Sequence, residues 1–193
     1  HPNRFKFPNL LWILAGGHKE YINTIKDPEA LNHDTFIDLY TNPSHYVREA
    51  VASNSKAIMH EEYNAFFTDS EISVRIEAAS NLSAVSLETY KVLFRDDSEE
   101  VRCKVAENLN APLLSEYVYL FQDGSVKVRR IVARNPNATI HREFELLLVD
   151  STYSVRELVR HNPNIEMFED FAWLYRHGYC NVFDCILHSK PDD

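Results

Sequence analysis

Apolar and polar positions along this chain repeat every 27 residues. A Val-Arg pair stands at Val47-Arg48, Val74-Arg75, Val101-Arg102, Val128-Arg129 and Val155-Arg156. Seven residues after each Val comes an Asn: Asn54, Asn81, Asn108, Asn135 and Asn162. Five residues before it comes Asn42, Asp69, Asp96, Asp123 or Asp150. An aromatic recurs at Phe36, Tyr63, Tyr90, Tyr117, Phe144 and Phe171. Behind it runs a large apolar pair, from Leu39-Tyr40 and Phe66-Phe67 to Leu147-Leu148 and Leu174-Tyr175. Self-similarity at a fixed short period is the mark of a repeat architecture, in which a unit buries its apolar face against its neighbours.

Each unit predicts two short helices. The first opens at the Asp or Asn column, with Ser or Thr nearby, which are residue types that cap helix N-termini. Its apolar positions, such as Val47 and Val51, fall four apart on one face. Ala52, Ala79, Ala106 and Ala133 sit beside them, small enough for close helix approach. The Asn column is predicted to end this helix through the left-handed conformation that Asn tolerates, with Pro136 and Pro163 following. The second helix is predicted over 58–67, 85–94, 112–121, 139–148 and 166–175, its aromatic and apolar columns at i, i+3 and i+4 forming the inner face. Outside the five regular units of 41–175, the register continues in a degraded unit over about 15–40 and a cap over 176–193. The expectation is one all-α repeat domain over residues 1–193, with degraded ends because an outer face must meet water.

Composition agrees. Four Gly are few for a protein of many tight β-turns. A net charge of −9 makes the whole molecule a poor ligand for DNA. Three Cys form no disulfide framework and point to free thiols, hence to a cytoplasmic setting. No apolar run approaches the ~20 residues that span a bilayer, so no membrane partner is expected. The chain begins at His1, which leaves room for a native segment ahead of it.

The run Asp-Ser…Val-Arg…Ala…Asn-Pro-Asn, clearest over Asp123 to Asn137 and Asp150 to Asn164, resembles the leucine-rich repeat variant and short HEAT-like families. The resemblance covers about residues 15–190. It implies a right-handed α-solenoid, a superhelix of stacked two-helix repeats. Variant leucine-rich repeats are typically shorter than 27 residues and pair an α-helix with a 3₁₀-helix, so a longer second helix is expected here. The N-terminal Cys cluster of the iron–sulfur-associated variant repeats is missing, so no cluster and no other cofactor is expected.

A residue needed in every unit is needed for stacking, so recognition belongs to columns that vary. The Arg column reads as a structural ladder paired to the repeat Asp of the same or next unit, and the Asn column as helix termination and inter-unit bonding. Two variable regions stand out. Residues 123–163 hold seven cations against five anions, while the rest of the chain holds 13 against 24. Within that segment Arg130 and Arg134 lie one turn apart, and Arg160 and His161 occupy the next unit, which together form a candidate anion-binding patch. The bland alternative is a solvated face offset by nearby Glu. The second region is a column that grows toward the C-terminus and includes Tyr119 and Trp173, candidate aromatic anchors for a partner or else packing residues.

Chemistry-bearing motifs are weak. His177, Cys180, Cys185 and His188 have loose zinc-like spacing, which is not taken as a metal site. His33, His60 and His141 share a repeat column, too far apart in a stacked array to hold one metal. No phosphate loop, nucleophile elbow or HExxH motif occurs. The function expected is therefore a non-enzymatic binding scaffold with no catalytic residues, whose partner is a protein or peptide. The alternative is a nucleic-acid-binding solenoid working through Arg130, Arg134 and Arg160.

Overall fold

The computed structural model describes residues 18–27 and 39–165. Among them every regular element is a helix and none is a strand. The α-helices are α1 His18–Lys26, α2 His45–Ser53, α3 Ile72–Ser80, α4 Glu99–Glu107, α5 Val126–Arg134, α6 Glu145–Leu148 and α7 Tyr153–Arg160. The helix expected at 166–175, the cap at 176–193 and most of the degraded unit at 15–40 lie outside the described residues. No helix among the described residues is long and apolar enough to cross a membrane.

Four of the first helices begin three residues after the Asp or Asn column, at His45, Ile72, Glu99 and Val126, and the last at Tyr153 does likewise. The column does not itself open the helix. Its side chain forms an Asx turn one step earlier, accepting the N–H two residues on: Ser44 to Asn42 at 2.9 Å, Glu71 to Asp69 at 2.9 Å, and Ser98, Ser125 and Thr152 to Asp96, Asp123 and Asp150 at 2.8 Å. Ser125 alone of these five N-cap residues also caps with its own hydroxyl, accepting from the N–H groups of Lys127 and Val128.

The second helix departs from expectation. In three units it is a pair of 3₁₀ segments, Ala57–Met59 with Glu61–Thr68, Ala84–Ser86 with Glu88–Arg95, and Ala111–Leu113 with Ser115–Gln122. In the fourth, Pro136–Ile140 and Arg142–Phe144 lead into α6. Each pair is broken by one extended residue, His60, Leu87, Leu114 or His141. Eight-residue 3₁₀ runs exceed the usual three or four. Here packing sustains them: Tyr63, Phe66 and Phe67 are at most 2% exposed, as are Tyr117, Leu120 and Phe121.

The chain divides into two compact units, residues 1–92 and 93–193, the boundary falling inside Glu88–Arg95. In the first, α2 packs between α1 and α3. Its core is aromatic and edge-on, with Tyr63 against Phe66 at 5.2 Å and 78° and Phe67 against Tyr90 at 5.7 Å and 81°. In the second, α5 contacts both α4 and α7. Phe94, Tyr117, Phe121 and Phe144 follow one another at 5.7–6.3 Å, and His141 lies flat on Tyr117 at 5.6 Å and 12°. The Tyr hydroxyls reach back to the small-residue column: Tyr63 donates to the Ala52 carbonyl at 2.5 Å, Tyr90 to Ala79 at 2.9 Å and Tyr117 to Ala106 at 3.1 Å. Burial pushes the Tyr63 phenol well above its ordinary pKa, so it stays a donor.

Candidate binding surfaces

The repeated polar columns are spent on the fold. Arg48 forks onto Asp69, with Nε at 2.7 Å and Nη2 at 2.9 Å from its two oxygens. Arg102 does the same to Asp123 at 2.6 and 3.1 Å, and Arg129 to Asp150 at 2.6 and 3.1 Å. Each partner lies 21 residues on, in the following repeat. The remaining nitrogen holds the Arg's own loop: Arg48 donates to the Asn42 carbonyl at 2.8 Å, Arg75 to Asp69 at 2.6 Å, Arg102 to Asp96 and Arg129 to Asp123 at 2.7 Å, and Arg156 to Asp150 at 2.5 Å. The hydrogen bond to the carboxylate outweighs burial and raises the guanidinium pKa of Arg48, Arg102 and Arg129. Burial pushes the Asp69 and Asp150 carboxyls up. The Arg hydrogen bond, a backbone N–H and the nearby positive charge together prevail and hold both below the usual aspartate value.

The Asn column is buried and doubly used. Asn135 donates from Nδ2 to the carbonyls of Ala106 at 2.9 Å and Asn108 at 3.3 Å, while its Oδ1 accepts from the Asn137 N–H at 3.0 Å. Asn54, Asn81 and Asn162 repeat this to the carbonyls 29 and 27 residues earlier. The backbone at these positions corrects one expectation. Asn54, Asn81, Asn108 and Asn135 are extended, with φ between −64° and −78° and ψ between 111° and 120°, not left-handed. The Asn ends the helix by taking the chain into an Asx turn, and its amide reaches the preceding repeat.

What remains exposed is specific to position. On α5, Val128, Val132 and Ala133 face the core, while Arg130 and Arg134 project from the opposite side and are exposed. Neither forms an ion pair with a described residue. α5 carries four cations and no acid. Of these Arg129 belongs to the ladder, and Lys127 lies 3.8 Å from Glu99 with both side chains about half exposed. Arg160 ends α7 and is exposed, but it stands in the small-residue column, about 100° round the helix from the position equivalent to Arg134. His161 takes that equivalent position, exposed, its Nδ1 2.9 Å from the Glu157 carbonyl. Arg130 and Arg134 therefore share one face that His161 extends and Arg160 does not. Cys103, the counterpart of Arg130 on α4, is buried, and burial pushes its thiol pKa up.

Tyr119 is 44% exposed in the Ser115–Gln122 segment. The Arg95 guanidinium carbon sits 3.8 Å above its ring centre. The two line an open depression of about 470 Å³ together with Asp97, Arg102, Asp123 and Gly124. None of Arg130, Arg134, Arg160 and His161 lines it, so the basic face and the aromatic anchor are separate features. Trp173, the other expected anchor, lies outside the described residues, as do His177, Cys180, Cys185 and His188. Among the described residues no group of His, Cys, Asp and Glu is placed to hold a metal. Sequence reasoning missed Arg95, Asp97 and Gly124. Their columns do vary, reading Thr41, Thr68, Arg95, Gln122, Val149 and Pro43, Ser70, Asp97, Gly124, Ser151. Variation was the available signal, and only the fold reveals that these two columns meet Tyr119.

No protein family, curated protein or solved structure matches this chain.

Proposed function

We propose that this protein is a non-enzymatic α-solenoid that binds a protein or peptide partner. One observation carries the reading: the repeated Arg, Asp and Asn side chains are bonded within the fold, whereas Arg95, Tyr119, Arg130 and Arg134, which break the repeat, stand exposed. Alternation of α- and 3₁₀-helices supports a unit of the variant leucine-rich repeat kind. Contacts between successive α-helices within each compact unit support stacking of the repeats, and the right-handed superhelix is what the family resemblance implies. A depression open to solvent suits recognition better than chemistry, which gains from excluding water. A cytoplasmic setting goes with the same reading, on the free buried Cys103.

A second reading, nucleic-acid binding, is favoured by α5 alone, where Arg130 and Arg134 repel each other one turn apart with no acid on the same helix. Immobilised protein, offered a nuclease-treated lysate, separates the two. The first reading expects specific proteins to be retained, and to be lost when Tyr119→Ala or Arg130→Glu/Arg134→Glu replaces the wild type. The second expects duplex DNA or RNA to bind with a log–log salt slope of about −2 to −3, as for two or three phosphate contacts. Retention that vanishes with nuclease, together with that slope, rejects the first reading.

A further inference from the structure

We propose that the depression at Arg95, Tyr119 and Gly124 binds a peptide segment through a single side-chain carboxylate. The proposal rests on the scaffold reading and names the partner's chemistry.

A guanidinium lying flat on an aromatic ring keeps its N–H donors in plane and free at the edge, which is the geometry that grips a carboxylate with two parallel bonds. The Arg95 guanidinium carbon lies 3.8 Å over the Tyr119 ring centre, the separation of such a stack, and Arg95 makes no ion pair with a described residue. Its orientation is set before a ligand arrives, which lowers the entropy lost on binding. The floor beneath is rigid, since Arg102 and Asp123 are locked to each other at 2.6 Å and Arg102 also holds the Asp96 and Asp97 carbonyls. Four of the five Arg102 donors are already engaged, so Arg95 is the cation of the depression with its donors uncommitted.

Gly124 is the second, independent pointer. Its φ lies outside the left-handed region, and a Cβ built there would meet nothing within 4 Å. Neither backbone conformation nor packing against the described residues calls for glycine. Its counterparts are Pro43, Ser70, Asp97 and Ser151. A glycine unexplained by its own chain, lining a depression, fits the close passage of another backbone. The rim narrows the ligand further. The Asp97 carboxylate is exposed and without an ion pair among the described residues. The exposed Asp97 carboxylate next to Arg95 repels a run of anions such as a phosphate backbone or a polyacidic tract. It tolerates one acid flanked by neutral or basic residues.

The test is selection of random 12-residue displayed peptides on the full-length protein, followed by fluorescence anisotropy of the winners. The expected winners share one isolated Asp or Glu. Arg95→Gln weakens them about tenfold or more, as for loss of a charge-assisted bond pair. Arg95→Lys, which keeps the charge without the fork, falls between. Gly124→Val weakens them while the thermal melt stays at or above wild type. Winners indifferent to Arg95→Gln and Gly124→Val overturn the inference and leave the scaffold reading standing. So do winners with acidic runs that respond to Arg130→Glu/Arg134→Glu instead. No enrichment at all overturns the inference and leaves the scaffold reading to the lysate experiment.

Discussion

Arg102 and Arg130 lie on α4 and α5, two contacting helices of one compact unit, and the fold assigns them opposite weights. Replacing Arg102 by Ala removes the fork to Asp123 at 2.6 and 3.1 Å and the donor to the Asp96 carbonyl at 2.7 Å. It leaves Asp123, whose side chain is 7% exposed, with the Ser125 N–H at 2.8 Å as its remaining local donor. Deleting one partner of a buried pair costs about 3–5 kcal/mol. Arg102 is 18% exposed and the Ser125 bond survives, so the low end applies, about 3 kcal/mol. At about 2–4 °C per kcal/mol for a chain of this size, the melting temperature should fall by roughly 6–12 °C. Arg130→Ala removes an exposed side chain with no described ion pair and should stay within about 0.5 kcal/mol, roughly 2 °C or less. Thermal denaturation followed by far-ultraviolet circular dichroism reads both. Adding Asp123→Ala to Arg102→Ala completes a double-mutant cycle, in which the coupling should exceed about 1 kcal/mol because the orphaned carboxylate is removed with its partner. Arg102→Lys should lie between, since an ammonium cannot fork. Equal melting temperatures for Arg102→Ala and Arg130→Ala would refute the distinction between ladder and variable columns.

Two further expectations follow from the same geometry. Asp69 and Asp150 titrate below the ordinary aspartate value of 3.8 in the folded chain, so the unfolded chain takes up their protons first as pH falls. Their stabilisation is full above that value and is lost as pH drops through the lower folded values. The gap in urea midpoint between wild type and Asp150→Asn should be constant from pH 7 to 5 and close below about pH 4, and a gap that widens there would contradict the argument. Asn135→Ala should destabilise by about 2 kcal/mol, because the Asn108 carbonyl loses one donor while keeping the Ala111 N–H, and the Ala106 carbonyl keeps the Tyr117 hydroxyl. Asn135→Asp should be worse at neutral pH, since it aims a carboxylate at two carbonyls, and the order of the two urea midpoints decides it.

The helical class, the 27-residue unit, the Arg–Asp ladder and the division between shared and variable columns could all be read from the chain, because each leaves a periodic trace. The second helix could not. Over eight residues Tyr63, Phe66 and Phe67 are spaced as either an α- or a 3₁₀-turn requires, and one short window does not separate a period of 3.0 from 3.6. The Asn backbone was misjudged for a different reason. Asn favours the left-handed region only when nothing better competes for its side chain. Here each amide has two carbonyls of the preceding repeat to satisfy, and the Oδ1 closes an Asx turn, which extended backbone permits and left-handed backbone does not. At the candidate surfaces, Tyr119, Arg130 and Arg134 were identifiable as exceptions to their columns. Arg95 and Gly124 belong to two columns that touch Tyr119 only once the chain folds.

The aromatic column indicates how tightly the repeat constrains each position. Tyr63, Tyr90 and Tyr117 donate to Ala carbonyls, yet the next unit carries Phe144, which has no hydroxyl, and remains fully buried. The carbonyl left without a Tyr donor there is that of Ala133, and it still accepts from Asn162 Nδ2 at 2.8 Å. Ala52 and Ala106 receive both donors, from Tyr63 with Asn81 and from Tyr117 with Asn135. The Asn bond is thus common to all three carbonyls and the Tyr bond supplementary. This accounts for a column that keeps its ring and varies its hydroxyl, while the Asn column does not vary over the five units. Constancy across the repeat measures how many alternative partners a buried group has. Arg130, Arg134 and Arg95 are held by no such requirement, and that freedom makes their columns the ones in which a binding surface can be written.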